Sequence, residues 1–525
     1  MFFDFISSVV NIVSKSWKTG IFWLLLSLFI WLLGVGGRDL YALPGLIGFI
    51  LLFLEVRQNY KLSLSFNFLV NPSYTFLCYL SVSIVVLATT ILSLYSFRWN
   101  IWDVGSYSSS IFNLSEGLNF NSYLQLPASH DHFTPSLAIF VPLYWLYPSV
   151  HWLTVAKALS YLSVPVVVYW WLKDKTDKKS CLVLSSVFGF WLLLLYKPAV
   201  NSRLFEFSPS SLALPFIIIA FAMMEKRRWL FFAISMIFLL GLKEHMGIVL
   251  IGFGLYKIFQ KDYSTGALLS GLGFLISYTM IFQVMPYFRD YQAFGNTHIV
   301  LLHDLPGKAI YLVKLLWPLC FLPLIFWRYG VLAAPAIGVN LLSGRPEMYS
   351  TGFHYDDVSS TLLLMTCILI LIKKSRIIFE WLGKKWVKGI FIIWLVVFLT
   401  LLPTSPIRKL RNSLPTSTHL KLLEDIWAFD KKWPNASLAV QSTIGPHIHR
   451  NAITIMTQQS SGECVPPKLN GLPVDIILLS PDVGHYMIND FEKFLNGYSL
   501  GYFQEIVYKH QNCRSCNAQH LEKVK

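Results

Sequence analysis

Charge is what this sequence has least of. Only 14% of its 525 residues are Asp, Glu, Lys or Arg, where a soluble domain carries about 25%. That shortage excludes a chain that keeps its whole surface in water. The 55% hydrophobic content is gathered into runs, several long enough to cross a hydrocarbon layer of about 30 Å as helices. Acid is scarcer than base, 28 residues against 43, for a formal net charge of +15. This excess does not point to nucleic acid. The Lys and Arg residues sit in short clusters between apolar runs, and none builds a basic helix or an aromatic-interleaved basic patch. The start, MFFDFISSVVNIVSKSW, lacks the basic n-region and small-residue cleavage site of a signal peptide, so it is expected to be retained. There is no internal repeat and no low-complexity tract. Cysteine is sparse at seven. Cys78, Cys181, Cys320 and Cys367 lie in or beside apolar runs, where cysteine packs as a small hydrophobe.

What is present is a polytopic pattern. Thirteen candidate crossings span 21–33, 41–56, 74–97, 152–172, 181–196, 211–224, 229–242, 246–259, 267–286, 309–327, 330–342, 358–373 and 388–402. Run 136–147, short and Pro-bounded, is assigned as re-entrant or interfacial. With the N-terminus inside, twenty Lys and Arg fall in the cytoplasm. Eight fall outside before residue 403: Arg38, Arg98, Lys197, Arg203, Lys243, Arg289, Lys308 and Arg345. The bias has the sign of the positive-inside rule. Asp39, Asp103, Glu116, Asp131, Glu206, Glu244, Asp290, Asp304, Glu347, Asp356 and Asp357 fall outside. Acids either avoid the cytoplasmic leaflet or converge on one outer polar site.

Three units are expected: an N-terminal transmembrane hairpin at 1–72, a transmembrane core at 73–402 with a large outer loop at 98–151, and an outer domain at 403–525. In the last, THLKLLEDIWAFDKKW reads as an amphipathic helix with Leu420, Leu423, Ile426 and Trp427 on its apolar face. SLAVQ (437–441), AITIM (452–456) and VDIILLS (474–480) read as buried strands and INDFEKFLNGY as a helix, a small α/β domain. Cys513-x-x-Cys516 has no second CxxC to complete a zinc site, and on an outer face a disulfide fits better, with Cys464 as a possible partner to either.

The outer loop WNIWDVGSYSSSIFNLSEGLNFNSYLQLPASHDHFTP, Trp99 to Pro135, is the only long polar interval in the first 280 residues. Charges beside a bilayer are costly and mark function by default. Asp103, behind Trp99 and Trp102, could act as general base on an acceptor hydroxyl or help hold a divalent cation. It could equally cap the helix GSYSSSIFNLSEG. His130, Asp131 and His132 could contact a metal or an acceptor, although two His need a third ligand, and a hydrogen-bonded loop explains them too. Arg203 could grip a phosphate bidentately or snorkel to lipid. Lys243 and Glu244 could serve a site or merely pair with each other. His354 and Tyr355 stand on the same side, before a crossing.

These stretches carry a resemblance over nearly the whole chain. WDVGSYSSSIFN, HDHFTPSLAIFVPLYWLYPS, EFSPSSLALP, LKEHMG, FHYDD and SLAVQSTIGPHIHRNAITIM followed by VDIILLS resemble the bacterial membrane proteins grouped as domain of unknown function 2079. That group is similar in architecture to the GT-C glycosyltransferases. The resemblance implies an all-α GT-C-like membrane fold of about thirteen helices in the bacterial inner membrane. Its C-terminal domain would be on the periplasmic side. It implies transfer of a sugar from a polyprenyl-phosphate donor to an acceptor on the outer face. Asp103 would be the loop acid and Arg203 and Lys243 contacts to the donor phosphate, with Glu244, His354 and Tyr355 as further polar residues of the site. Ser208 departs from the resemblance, standing where that group has His. A transporter or flippase for a lipid-linked or anionic solute, or a membrane scaffold, remains the alternative.

Overall fold

A computed structural model describes residues 18–33, 72–288, 303–382, 394, 402–455, 468–469, 472–480, 483, 498–500 and 507–510. The expected crossing 41–56, nearly all of 388–402, all of the expected helix INDFEKFLNGY but Tyr498, which begins a strand, and Cys464, Cys513 and Cys516 lie outside these residues.

Among the described residues, four helices are long and apolar enough to cross a membrane: Phe76–Tyr95, His151–Leu172, Lys178–Leu195 and Tyr263–Phe288. A fifth span is possible if Lys197–Leu204 and Pro209–Glu225, bent 117° from each other, act as one. Trp229–Leu240 and Gly247–Phe259 are shorter apolar helices. Apolar runs give helices here because lipid offers no partner to a backbone amide, so each N–H must be satisfied within its own segment.

Two expected crossings fail as single helices. Run 309–327 is a helix at Leu305–Leu316, a 3-10 turn at Trp317–Leu319, and short helices at Leu322–Ile325 and Trp327–Gly330. Pro318 and Pro323 supply no amide hydrogen, and Cys320 and Phe321 turn left-handed between them. Run 330–342 is a helix of nine residues, Ala334–Leu342, about 14 Å long and under half a hydrocarbon layer. Run 136–147 stays short: a 3-10 turn at Pro135–Phe140 leads into a helix at Val141–Leu146. Its tip of Trp145, Leu146 and Tyr147 is exposed, as suits an interfacial element.

The bundle has two chemically distinct ends. At one, Lys226 bonds Asp174 at 2.6 Å, Lys257 approaches Asp262 at 3.4 Å and Lys175 pairs with Glu225. Each of these three acids is thus matched with a lysine. The other end carries the loop Trp99–Pro135 and the turns described below.

Beyond residue 402 the chain forms a helix at Pro406–Asn412, a second at Ser417–Lys432 and a five-stranded sheet. Ile453–Ile455, Leu438–Val440 and Ile476–Leu478 are parallel neighbours, followed by Val507–His510 and Tyr498–Leu500 in antiparallel pairing. All three strands expected from the sequence are present. In Ser417–Lys432 the buried face is Leu422, Leu423, Ile426 and Phe429, while Leu420 and Trp427 are exposed. The sheet covers the Leu422–Phe429 stripe, which sits a little way round the helix from the expected one.

This domain shares a core with the loop Trp99–Pro135. Phe97, Ile101 and Tyr123 pack with Leu423, Ile426, Phe429 and Ile444. The Tyr123 hydroxyl donates to Gly445 O at 2.6 Å, Gln125 Nε2 donates to Ile453 O at 3.1 Å, and Ser108 Oγ meets His449 Nε2 at 2.9 Å. A Cβ on Gly445 would lie 2.1 Å from Ile101 Cγ2, so only glycine permits that approach.

Candidate active site

Asp103 lies inside a π-helical turn, Ile101–Gly105, and not at its cap. The cap is Asn100, whose Oδ1 accepts from Trp102 N at 2.8 Å. The following helix, Ser106–Ser115, starts from Gly105 with no side-chain cap. The capping explanation for Asp103 therefore fails. Single π turns recur at functional sites because they re-aim a side chain. Burial pushes the Asp103 carboxyl up to about 6; Lys243, His132 and Lys157 oppose the rise and Asp131 adds to it.

Lys243, Glu244 and His245 occupy the turn between Trp229–Leu240 and Gly247–Phe259. Glu244 does not simply pair with its neighbour. Its Oε1 meets His132 Nδ1 at 2.9 Å, which joins this turn to the loop Trp99–Pro135. Burial would raise the Glu244 carboxyl, but His132, His245 and Lys243 outweigh it and hold it well below its ordinary value. Burial, with Lys243, pushes His245 down to about 4. Ser136 strengthens the joint, its N donating to Gly241 O at 2.9 Å and its Oγ to Phe238 O at 2.8 Å. Replacing His132 with Ala is expected to cost about 1.5 kcal/mol, as loss of a charge-assisted hydrogen bond does. It should also speed hydrogen exchange in residues 128–136, read by mass spectrometry.

Arg203 ends the helix Lys197–Leu204. It is 5% exposed, and its Nε has no hydrogen-bond partner, so it is buried and does not snorkel. The end of this helix is held by Lys157, a buried residue of His151–Leu172. Lys157 Nζ donates to Ser202 O at 2.9 Å, Phe205 O at 2.9 Å and Glu206 O at 2.5 Å. Glu206, also buried, receives the backbone N–H groups of Asn100 and Val104. A chain of contacts thus runs from Lys157 through the Arg203 helix to the Asp103 turn.

The loop before Asp357–Leu382 closes the cluster. Asn201 Nδ2 donates to Thr351 O at 2.7 Å and Ser202 Oγ to Phe353 O at 3.2 Å. These bonds lay the His354 ring 4.9 Å from that of Phe205 and 4.3 Å from that of Tyr355. Burial, then Lys243 and Lys157, holds His354 well below its ordinary value, hence neutral, and its Nδ1 has no partner. Burial and Asp103 raise the Tyr355 hydroxyl. Asp357 accepts from Tyr161 and from Ser210 Oγ at 3.1 Å, and Ser210 meets Ser208 at 2.9 Å. Ser208, the departure noted in the sequence, therefore belongs to a buried network on Asp357. Asp356 accepts from Tyr311 at 2.6 Å.

Of the residues singled out in the sequence, Asp103, Lys243, Glu244, His132, Asp131, His354 and Tyr355 lie within mutual electrostatic reach, and Lys157 links Arg203 to them. His130 lies in a 3-10 turn, Ala128–His130, one residue before Asp131. Among the described residues no group of three or more His, Cys, Asp or Glu is placed to hold a metal ion. Sequence reasoning missed Lys157, Tyr161 and Tyr311 as parts of the site, and it placed Glu206 only among the acids that could converge there. A lone lysine inside the apolar run 152–172 was the available signal.

Comparison with known proteins gives a family match over residues 93–461, to the family described as "Predicted membrane protein (DUF2079)". No curated protein matches the chain. Among solved structures the chain is similar to ArnT from Cupriavidus metallidurans bound to undecaprenyl phosphate. Identity is 12%, the match covers 78% of this chain and 93% of that one, and the TM-score is 0.43.

Proposed function

The chain belongs to the DUF2079 family of membrane proteins, and from the polar cluster around Asp103 we propose that it is a glycosyltransferase of the GT-C kind. It would move a sugar from a polyprenyl-phosphate donor to an acceptor hydroxyl at the outer membrane face. The observation that carries this reading is the joining of a high-pKa carboxyl at Asp103 to buried cations at one end of an apolar bundle.

Each part has a role in that chemistry. Asp103 takes or orients the acceptor proton, a task best served by a pKa near the working pH. Arg203 and Lys243 face the donor phosphate and stabilise its charge as the sugar leaves. Phosphate departs without a general acid, so positioning and positive charge supply most of the catalysis. Lys157 and Glu206 hold the two carriers in register. His354 and Tyr355 line the acceptor side. In this reading the N-terminus is cytoplasmic and the domain beyond residue 403 extracytoplasmic.

One feature favours transport as the second reading. The 117° break between Lys197–Leu204 and Pro209–Glu225 has the form of the interrupted helices that bind substrate in transporters. Purified protein in nanodiscs, offered radiolabelled polyprenyl-phosphate sugars, separates the two. Donor consumption supports the transferase; tight binding without turnover supports transport. The pH profile gives a finer check. Asp103 must be ionised to act, so kcat/KM should fall as pH drops through about 6. An acid limb near the ordinary carboxylate value would remove Asp103 from the role.

A further inference from the structure

Three histidines face one another where the domain beyond residue 402 seats on the bundle. His447 ends the 3-10 turn Gly445–His447 and His449 follows it, while His151 opens the helix His151–Leu172. The His447 ring lies 4.6 Å from that of Phe97, and its Nε2 is enclosed without a hydrogen-bond partner. His449 Nε2 meets Ser108 Oγ at 2.9 Å, and Ser108 Oγ meets the Tyr144 hydroxyl at 2.7 Å. His151 is fixed by Ser149 Oγ at Nδ1, 2.7 Å, and by the Tyr95 hydroxyl at Nε2, 3.0 Å. From Ser417–Lys432 come His419, its ring 5.8 Å from Phe97, and Asp430, which pairs with Arg450. From the loop Trp99–Pro135 comes Tyr123, bonded to Gly445 O.

This seat suits neutral imidazoles. A bare Nε2 on His447 tolerates enclosure, but a proton there makes an N–H with no acceptor, on a ring that is then charged. With His449 neutral, Ser108 can donate to its Nε2 while accepting from Tyr144, and a proton at Nε2 reverses that chain. Burial, then His151 and His449, holds His447 down to about 3, against a hydrogen bond to the Leu94 backbone. Burial, with His151, holds His449 down to about 4. Once undocked, each ring returns toward the ordinary value of about 6.5. Docking is therefore fully supported above pH 6.5 and weakens as the pH falls from there toward 4.

We propose that His447 and His449, set against His151, form an acid-sensitive latch between the C-terminal domain and the bundle. Neutral rings hold the domain in its seat, and protonation releases it. Release also frees Gly445 from Ile101 and Tyr123, so the turn that carries Asp103 loses its neighbour. Protonation of buried histidines at an interface is a general way to flip it. The latch acts whether the chain transfers a sugar or not.

The test is hydrogen exchange of the full-length protein in nanodiscs, read by mass spectrometry at about pH 7.5 and 5.5 and corrected for intrinsic exchange. One pH unit below 6.5 weakens docking about tenfold for each histidine that must stay neutral. Wild-type protection over residues 443–450 should thus fall about a hundredfold at the lower pH, and return when the pH is restored. The double variant His447→Gln, His449→Gln should lose most of that fall. His449→Gln alone, whose amide can still bond Ser108, should keep about tenfold of it, so a double variant that fails to dock does not decide the matter. His303→Gln, at an exposed position, should open like wild type. Asp103→Asn should do so too, which separates the latch from titration of Asp103. Equal wild-type protection at both pH values, or a His449→Gln protein that opens as steeply as wild type, would overturn the latch. Donor turnover is not read, so failure here leaves the transferase proposal standing, and the reverse also holds.

Discussion

Asp103→Asn is expected to abolish donor consumption while leaving the protein folded and able to bind donor. A positioned general base contributes about 10²- to 10⁴-fold, and kcat should fall by that much. The stability sign runs the other way. A carboxyl lifted to about 6 by burial is favoured in its protonated form, so ionisation opposes folding as pH rises from the ordinary carboxylate value through 6. Asparagine carries no such penalty, and the variant should unfold at the same temperature as wild type or higher at pH 7.5. Lost turnover with undiminished stability is what a catalytic acid gives. Turnover unchanged by Asn would leave Asp103 a bystander and move the reading to transport.

The opposite result is expected for Lys157→Met. The side chain fits the same volume, but three carbonyls at the end of Lys197–Leu204 lose their donor. Each unsatisfied buried acceptor costs about 1–3 kcal/mol, so the loss should reach about 3 kcal/mol or more, measured by denaturant unfolding in micelles. Activity should fall with it, because Arg203 and Glu206 hang from the same helix end. The two variants therefore separate charge chemistry from scaffold. One loses rate without stability, and the other loses both. A Lys157→Met protein of full stability would mean that another donor reaches those carbonyls.

Much of this was legible in the chain. Apolar runs and basic clusters located the bundle, and three strand signals located the sheet of the C-terminal domain. The polar loop pointed to Asp103 and His132 because charges are rare enough here to stand out. Other parts were hidden for physical reasons. Run 309–327 has the hydropathy of a span, but Pro318, Pro323 and two left-handed residues break it, and hydropathy does not see amide donors. Lys157 is silent in the sequence because its three acceptors lie 45 to 49 residues away. The Glu206 contact to the Asp103 turn is likewise tertiary. Asn100 displaced Asp103 as the cap because both are good caps, and spacing alone does not choose between them.

The Tyr123–Gly445 bond joins residues 322 positions apart, and this has a consequence for biosynthesis. At about 5–20 residues per second, a ribosome completes the loop Trp99–Pro135 roughly 15–65 s before it makes the loop's docking partner. Until the sheet strands have folded and settled on Ile101 and Tyr123, the turn that carries Asp103 lacks that support. On the transferase proposal, a newly made chain is then a quiescent precursor, competent only once its end has docked.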